Sequence, residues 1–261
     1  MSEMDNKKIR QRVSETYARV AQSGCGCNCA NNSSPVLTPE DISVGIGYSK
    51  EDVSVVPEGA NMGLGCGNPQ AIASLQEGET VLDLGSGGGF DCFLAARAVG
   101  ENGHVIGVDM TDEMLVKARK NAQIGGFNNV EFRKGEIENL PVDDNLIDVI
   151  ISNCVINLSP DKPEVFKDAF RVLKSGGRLA VTDIVATAPL PEKLKEDMAL
   201  YTGCISGASH IDKLREILEN TGFINIQIEP MDRSRKIIKQ WQPDKNVEDY
   251  IMSATIKASK P

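Results

Sequence analysis

Between residues 80 and 185, short apolar runs of strand length alternate with stretches in which apolar residues recur every three or four positions. TVLDLG (80–85), HVIGVD (104–109), VEFRKG (130–135), IDVIISN (147–153) and RLAVTDIV (178–185) are short and rich in β-branched residues, and each predicts a buried strand. A helix is predicted through FDCFLAARAV. Another starts at Thr111, whose hydroxyl is placed to cap it, with Met114, Leu115 and Ala118 on the inner face. A third covers 162–173 and stops at Gly176-Gly177. Strands alternating with helices predict a parallel sheet covered on both faces.

The flanks carry weaker patterns. Residues 5–22 read as a polar helix with Ile9, Val13, Tyr17 and Val20 on one side, followed by the loop sequence SGCGCNCANNSSP. Residues 39–67 contain many glycines and few regular signals, and a short helix is expected over 70–75. Residues 190–222 look helical with a break at GCISGAS, and 224–229 and 249–259 are strand candidates. The expected division is an N-terminal helix and Cys-rich loop (1–39), a core domain (40–189), and a smaller α/β region over the open mouth of the site (190–261).

Charge narrows the partners. The net charge is −9 and no Lys/Arg-rich stretch stands out, which argues against nucleic acid and against an anionic membrane surface. No apolar run approaches the roughly 20 residues of a membrane span, and the N-terminus lacks an apolar signal region, so a cytoplasmic protein is expected. Seven cysteines, an odd number without a secretory signal, fit reduced thiols better than a disulfide framework.

The first chemical signature is VLDLGSGGGF, where Asp83, Gly85, Gly87 and Gly89 form D-x-G-x-G-x-G at a strand-to-helix junction. Glycines allow a tight turn and close approach of a ligand, and the following helix offers free N–H groups to a carboxylate. A dinucleotide turn would place glycine where Phe90 stands. An acid opening the turn suits a ligand with an ammonium group better than a pyrophosphate. Asp109, at the end of the next strand, is placed for two ribose hydroxyls.

On these motifs residues 79–184 resemble the core of a class I S-adenosylmethionine methyltransferase. The resemblance implies a doubly wound, mostly parallel seven-stranded sheet of Rossmann-like type, its last strand inserted antiparallel, a place residues 249–259 can take. It also implies that Asp83, Gly85 and Gly87 hold the methionine moiety and Asp109 the ribose. Met110, Glu136 and Ile137 would lie near the adenine, and Asn153 would face the cofactor.

Cys66 (LGCGNP), Cys154 (SNCVINL) and Cys204 (TGCISGA) lie far apart in the chain, unlike the close pairs of a zinc finger. Cys154 follows the fourth strand, at the edge where doubly wound sheets bind ligands, and the other two lie in glycine-flanked loops. Three thiols brought together beside a methyl donor would form a soft-metalloid site. These contexts, with GFDCFLAA around Cys92, resemble arsenite methyltransferases over about residues 36–230. The resemblance implies trivalent arsenic held by Cys66, Cys154 and Cys204, attack of its lone pair on the methyl group, and no general base. It further implies an external thiol reductant of thioredoxin or glutathione type, and arsenic captured by cysteines in the region of Cys25, Cys27 and Cys29. Cys92, within an apolar run, is read as packing, and His104 and His210 as structural. Two other readings stand beside this one: methylation of an organic thiol, quinone or lipid-like acceptor, and a non-catalytic thiol-based metalloid-binding protein.

Overall fold

The computed structural model describes residues 3–23, 37–242 and 245–261. Its strands are β1 (Thr80–Leu84), β2 (His104–Asp109), β3 (Val130–Lys134), β4 (Ile147–Asn153), β5 (Leu173–Ala186), β6 (Ser209–His210), β7 (Ile224–Pro230) and β8 (Ile251–Ser259). The helices are α1 (Glu3–Ser23), α2 (Pro39–Ile46), α3 (Lys50–Ser54), α4 (Gln70–Ala73), α5 (Phe90–Val99), α6 (Asp112–Gly125), α7 (Lys162–Val172), α8 (Glu192–Lys195), α9 (Met198–Thr202), α10 (Ile211–Thr221) and α11 (Arg235–Trp241).

One sheet runs β3-β2-β1-β4-β5-β8-β7, with the two-residue β6 paired to β5. β1 to β5 are parallel, and β8 enters antiparallel between β5 and β7. The seven-stranded, mostly parallel architecture expected from the sequence is thus the observed one. The sheet continues unbroken through β8, so the boundary expected at residue 190 crosses a single sheet.

Alternation along the strands divides the core in two. Leu82 and Leu84 point with Ile150, Phe166 and Leu218 toward α7 and α10. Val81 points with Phe93, Ala96, Leu115 and Val149 toward α5 and α6. Asp83 shares a side with Val81 and so faces α5. The strand order reverses between β1 and β4, and the carboxyl ends of strands at such a switch point form the ligand crevice of doubly wound sheets.

Three local features depart from the sequence expectation. Residues 39–67 hold two helices, each opened by a reciprocal capping box, Thr38 with Asp41 and Ser49 with Asp52. The Thr111 hydroxyl does not cap α6; it bonds instead to the Asp109 carboxylate. β5 begins at Leu173, so the Gly176-Gly177 stop lies inside the strand rather than ahead of it. Among the described residues no helix is long and apolar enough to cross a membrane.

Candidate functional site

The glycine turn joins β1 to α5 at the switch point. Gly85 has φ +71°, and a Cβ there would lie 2.4 Å from Val155 Cγ2, so glycine is required on both counts. Asp109 accepts the Gly87 N–H at 3.0 Å and the Thr111 N–H at 2.8 Å, which ties the end of β2 to the turn. Behind the turn lie two buried carboxylates, Asp83 and Asp91. Asp83 accepts a hydrogen bond from the Cys92 thiol at 3.2 Å. Asp91 accepts from the Tyr48 hydroxyl at 2.7 Å and from Gln70. Burial, and then the neighbouring Asp91 charge, push Asp83 well above the usual carboxylate range. Burial pushes Asp91 up to about 6, against the opposing bonds from Tyr48, Asn153 and Gln70. No cationic side chain pairs with either acid among the described residues. The buried Ser86 hydroxyl in the same turn also has no partner. A ligand bringing an ammonium and polar atoms would complete these groups, and the methionine end of S-adenosylmethionine has that chemistry.

The three residues expected near the adenine have different surroundings. Met110 is half-buried against the apolar cluster that also contains the thiols. Ile137 packs on the main core, and the exposed Glu136 pairs with Arg10 of α1 at 3.4 Å. Arg10 also holds Glu138 at 3.1 Å, fastening α1 beside the cleft.

Cys66, Cys154 and Cys204 come together. The Cys66 and Cys154 sulfurs and an Asp183 carboxylate oxygen all lie within 4.8 Å of one another. The single Cys204 S–H is shared between the Cys154 carbonyl, at 2.9 Å, and the Cys154 sulfur, while the Cys154 S–H donates to Cys66. Cys154 and Cys204 both sit in the left-handed region, at φ +60° and +63°. Such a conformation costs a non-glycine residue about 1–3 kcal/mol and concentrates at functional sites. Burial pushes the Cys66 thiol up to about 11. Cys204 is raised by the hydrogen bond it gives Cys154 and by burial. Cys154 is eased down by that bond, but the bond to Cys66 and burial leave it raised. The free protein therefore holds thiols, which lose their protons when a thiophilic centre binds. α1 roofs the pocket: Ile9, Val13 and Tyr17 pack with Cys66, Cys154, Cys204, Leu200 and Trp241.

Asn153 joins cleft and pocket. Its carbonyl accepts the Cys66 N–H at 3.0 Å and the Thr182 hydroxyl at 3.1 Å. Its amide donates to the Gly67 carbonyl at 2.8 Å and to the Tyr48 hydroxyl at 2.9 Å. Gly65 and Gly67 permit this, since a Cβ at either would lie 2.8 Å from Asn153 or Thr182.

A methyltransferase domain model matches residues 75–222. The arsenite methyltransferase of Halobacterium salinarum is 48% identical over 270 residues, covering 100% of this chain and 69% of that protein. The chain belongs to the arsenite methyltransferases. The mouse arsenite methyltransferase is 35% identical over 231 residues, 84% of this chain and 59% of its own length. The chain spans roughly half to two thirds of several such relatives. The crystal structure of an arsenic(III) S-adenosylmethionine methyltransferase from Chlamydomonas reinhardtii superposes with a TM-score of 0.63 at 31% identity, covering 87% of this chain and 75% of that one. As a member of this family the chain is an S-adenosylmethionine-dependent methyltransferase.

Two acids of the site carry no motif in the sequence. Asp91 stands directly after the glycine turn, and Asp183 interrupts the apolar run of β5; a lone acid in a buried strand or helix start was the available signal. Cys92 is buried in the core, as the packing reading has it, yet its thiol also holds Asp83. Cys25, Cys27 and Cys29 lie outside the described residues.

Proposed function

We propose that this arsenite methyltransferase family member methylates trivalent arsenic bound by the thiolates of Cys66, Cys154 and Cys204. The convergence of these three thiols supports the reading, with Val155, the residue after Cys154, packed against Gly85 of the glycine turn. Arsenic arrives as arsenite or a thiol complex and exchanges its oxygens or thiols for the three sulfurs. The departing groups carry away the cysteine protons. S-adenosylmethionine supplies an electrophilic methyl group on a sulfonium.

Asp83 and Asp91 would hold the cofactor's ammonium, the turn from Gly85 to Gly87 its carboxylate, and Asp109 its ribose hydroxyls. The arsenic lone pair is the nucleophile and carries no proton, so no general base is needed. The protein's contribution is alignment, which in well-oriented systems is equivalent to about 10⁵ M or more of reactant. Giving up its lone pair leaves arsenic two electrons poorer. Thiols of glutathione or thioredoxin type restore them by becoming disulfides. The products are methylarsenicals and S-adenosylhomocysteine.

The test is turnover of arsenite with labelled S-adenosylmethionine and a reducing thiol, comparing the parent chain with Cys154→Ser and Cys204→Ser. Trp241, the one tryptophan, lines a small cavity with Cys66, so its fluorescence reports arsenic capture separately. Methylated arsenic from the parent alone supports the reading. Undiminished product from both variants would overturn it.

A further inference from the structure

Asp183 has no part in the arsenic chemistry, yet it is 2% exposed and points at two of the three sulfurs. The fold holds its carboxylate deliberately: it accepts the Ile184 N–H at 2.7 Å, the Asn157 side-chain amide at 2.9 Å and the Asn157 N–H at 3.2 Å. The nearby ammonium, Lys162, is half-buried and donates to the Ser159 carbonyl; its charge draws Asp183 down somewhat, but the two form no direct ion pair. A buried carboxylate of this kind is costly unless something cationic meets it. Trivalent arsenic is not that partner. It is soft, carries a lone pair and is satisfied by three sulfurs, whereas carboxylate oxygen is a hard donor. Two cysteine sulfurs and one aspartate oxygen are instead ligands of a zinc-type ion.

We propose that Cys66, Cys154 and Asp183 form a second ligand set, for a thiophilic divalent cation such as Zn²⁺, in the pocket that takes arsenic. Around a tetrahedral ion with bonds of roughly 2.1 to 2.3 Å, ligand atoms lie about 3.6–3.8 Å apart. The three atoms, within 4.8 Å of one another, need to close by at most about 1.2 Å to reach that spacing. Binding is balanced by proton release: the two thiols give up two protons to solvent, and the ion takes two thiolates and the carboxylate. Water fills the fourth position. Because the cation and arsenic share Cys66 and Cys154 and differ only in the third ligand, Asp183 against Cys204, each excludes the other. Cation binding stands by itself; the exclusion rests on the arsenic reading above. The cation would then act as an inhibitor of methyl transfer that a thiol-rich arsenic complex displaces.

The experiment uses the full chain, reduced, with Cys25, Cys27 and Cys29 changed to serine so that they do not bind metal. Zn²⁺ affinity is measured by competition with a chromophoric chelator, and Co²⁺ is added to read sulfur-to-metal charge transfer. One ion per chain is expected. Asp183→Asn should weaken Zn²⁺ at least tenfold while arsenite still quenches Trp241, which also shows that the variant is folded. Cys204→Ser should keep Zn²⁺ affinity within threefold while losing arsenite capture. Arsenite should release the bound ion from the parent chain. Equal Zn²⁺ affinity with and without the Asp183 carboxylate would overturn the site, as would an equal loss in Cys204→Ser. Asp183-dependent Zn²⁺ binding without arsenite capture would uphold the cation site and reject the arsenic reading instead.

Discussion

Replacing Asn153 with alanine removes five hydrogen bonds at once, a long one to Asp91 included, and two of them locate Cys66: its own N–H at 3.0 Å and the Gly67 carbonyl at 2.8 Å. An unsatisfied buried polar group costs about 1–3 kcal/mol, and the half-buried position lets water recover part of that. A net loss of about 2–4 kcal/mol of stability is therefore expected. For a chain of this size that is a fall of about 5–15 °C in Tm. The effect on activity should exceed the effect on folding. With both tethers gone, the Cys66 loop keeps only its packing and the thiol hydrogen bonds with Cys154 and Ser253, and a displacement of about 1 Å at a reacting group costs on the order of 10²-fold in rate.

The assay pairs urea or thermal melts with kcat and KM for both substrates. A fall in kcat of roughly 10²-fold with KM for S-adenosylmethionine nearly unchanged would assign Asn153 to the thiol loop. A tenfold rise in that KM with kcat preserved would return it to the cofactor-facing role implied by the family resemblance. Stability within 0.5 kcal/mol of the parent and kcat within threefold would refute the reasoning altogether, leaving the glycine loop to place Cys66 unaided.

Three further outcomes follow from the geometry. Cys92→Ala removes the thiol donor to Asp83 and should raise KM for S-adenosylmethionine by about tenfold, the worth of one hydrogen bond to a charged group, while Cys92→Ser keeps it near the parent value; equal KM values for the two variants would show that the donor is irrelevant. Gly85→Ala places a Cβ 2.4 Å from Val155 at φ +71° and should cost at least about 2 kcal/mol and abolish cofactor binding, checked by melts and calorimetry. Asp91, lifted from 3.8 to about 6, keeps its proton in the folded chain at pH 5, so its contribution to stability is full below about pH 4 and is lost as pH rises through about 6. An ammonium ligand takes the ionised form, so S-adenosylmethionine affinity should strengthen from pH 5 to 7.5 and lose that dependence in Asp91→Asn; a flat profile for the parent chain would count against the assignment.

How much of this was legible in the sequence depended on the range of the signal. The strands from β1 to β5 and the glycine turn are local: each is encoded within about ten residues by alternation, β-branching and positive-φ glycines. The capping boxes at Thr38 and Ser49 were equally local but were hidden by the glycines around them, which read as loop. The thiol cluster is non-local. Cys66 reaches it from the loop before α4, Cys154 from the end of β4 and Cys204 from the end of α9, and only the crossovers of the sheet bring those ends together. Their sequence contexts marked them through family resemblance, whereas the left-handed backbone at Cys154 and Cys204 has no sequence signature at all.

The acids are the sharper case. Asp91 and Asp183 each sit among apolar neighbours, and a lone acid in such a run carries no chemistry until its partners are known. In the fold both are pushed up to about 6 by burial, one behind the glycine turn and the other beside the thiols. A protein that needed only to bury this sheet would be more stable with apolar residues at both positions, because an unpaired buried carboxylate is a cost and a hydrophobic isostere is not. Neither acid forms an ion pair with a cationic side chain among the described residues, and a bound cationic group would offset the cost that their hydrogen bonds leave. At Asp91 the ammonium of the cofactor is sufficient. At Asp183 a soft, lone-pair-bearing arsenic centre is not, and this asymmetry separates the two acids: one completes the methyl-transfer site, and the other makes the same thiols a site for a cation.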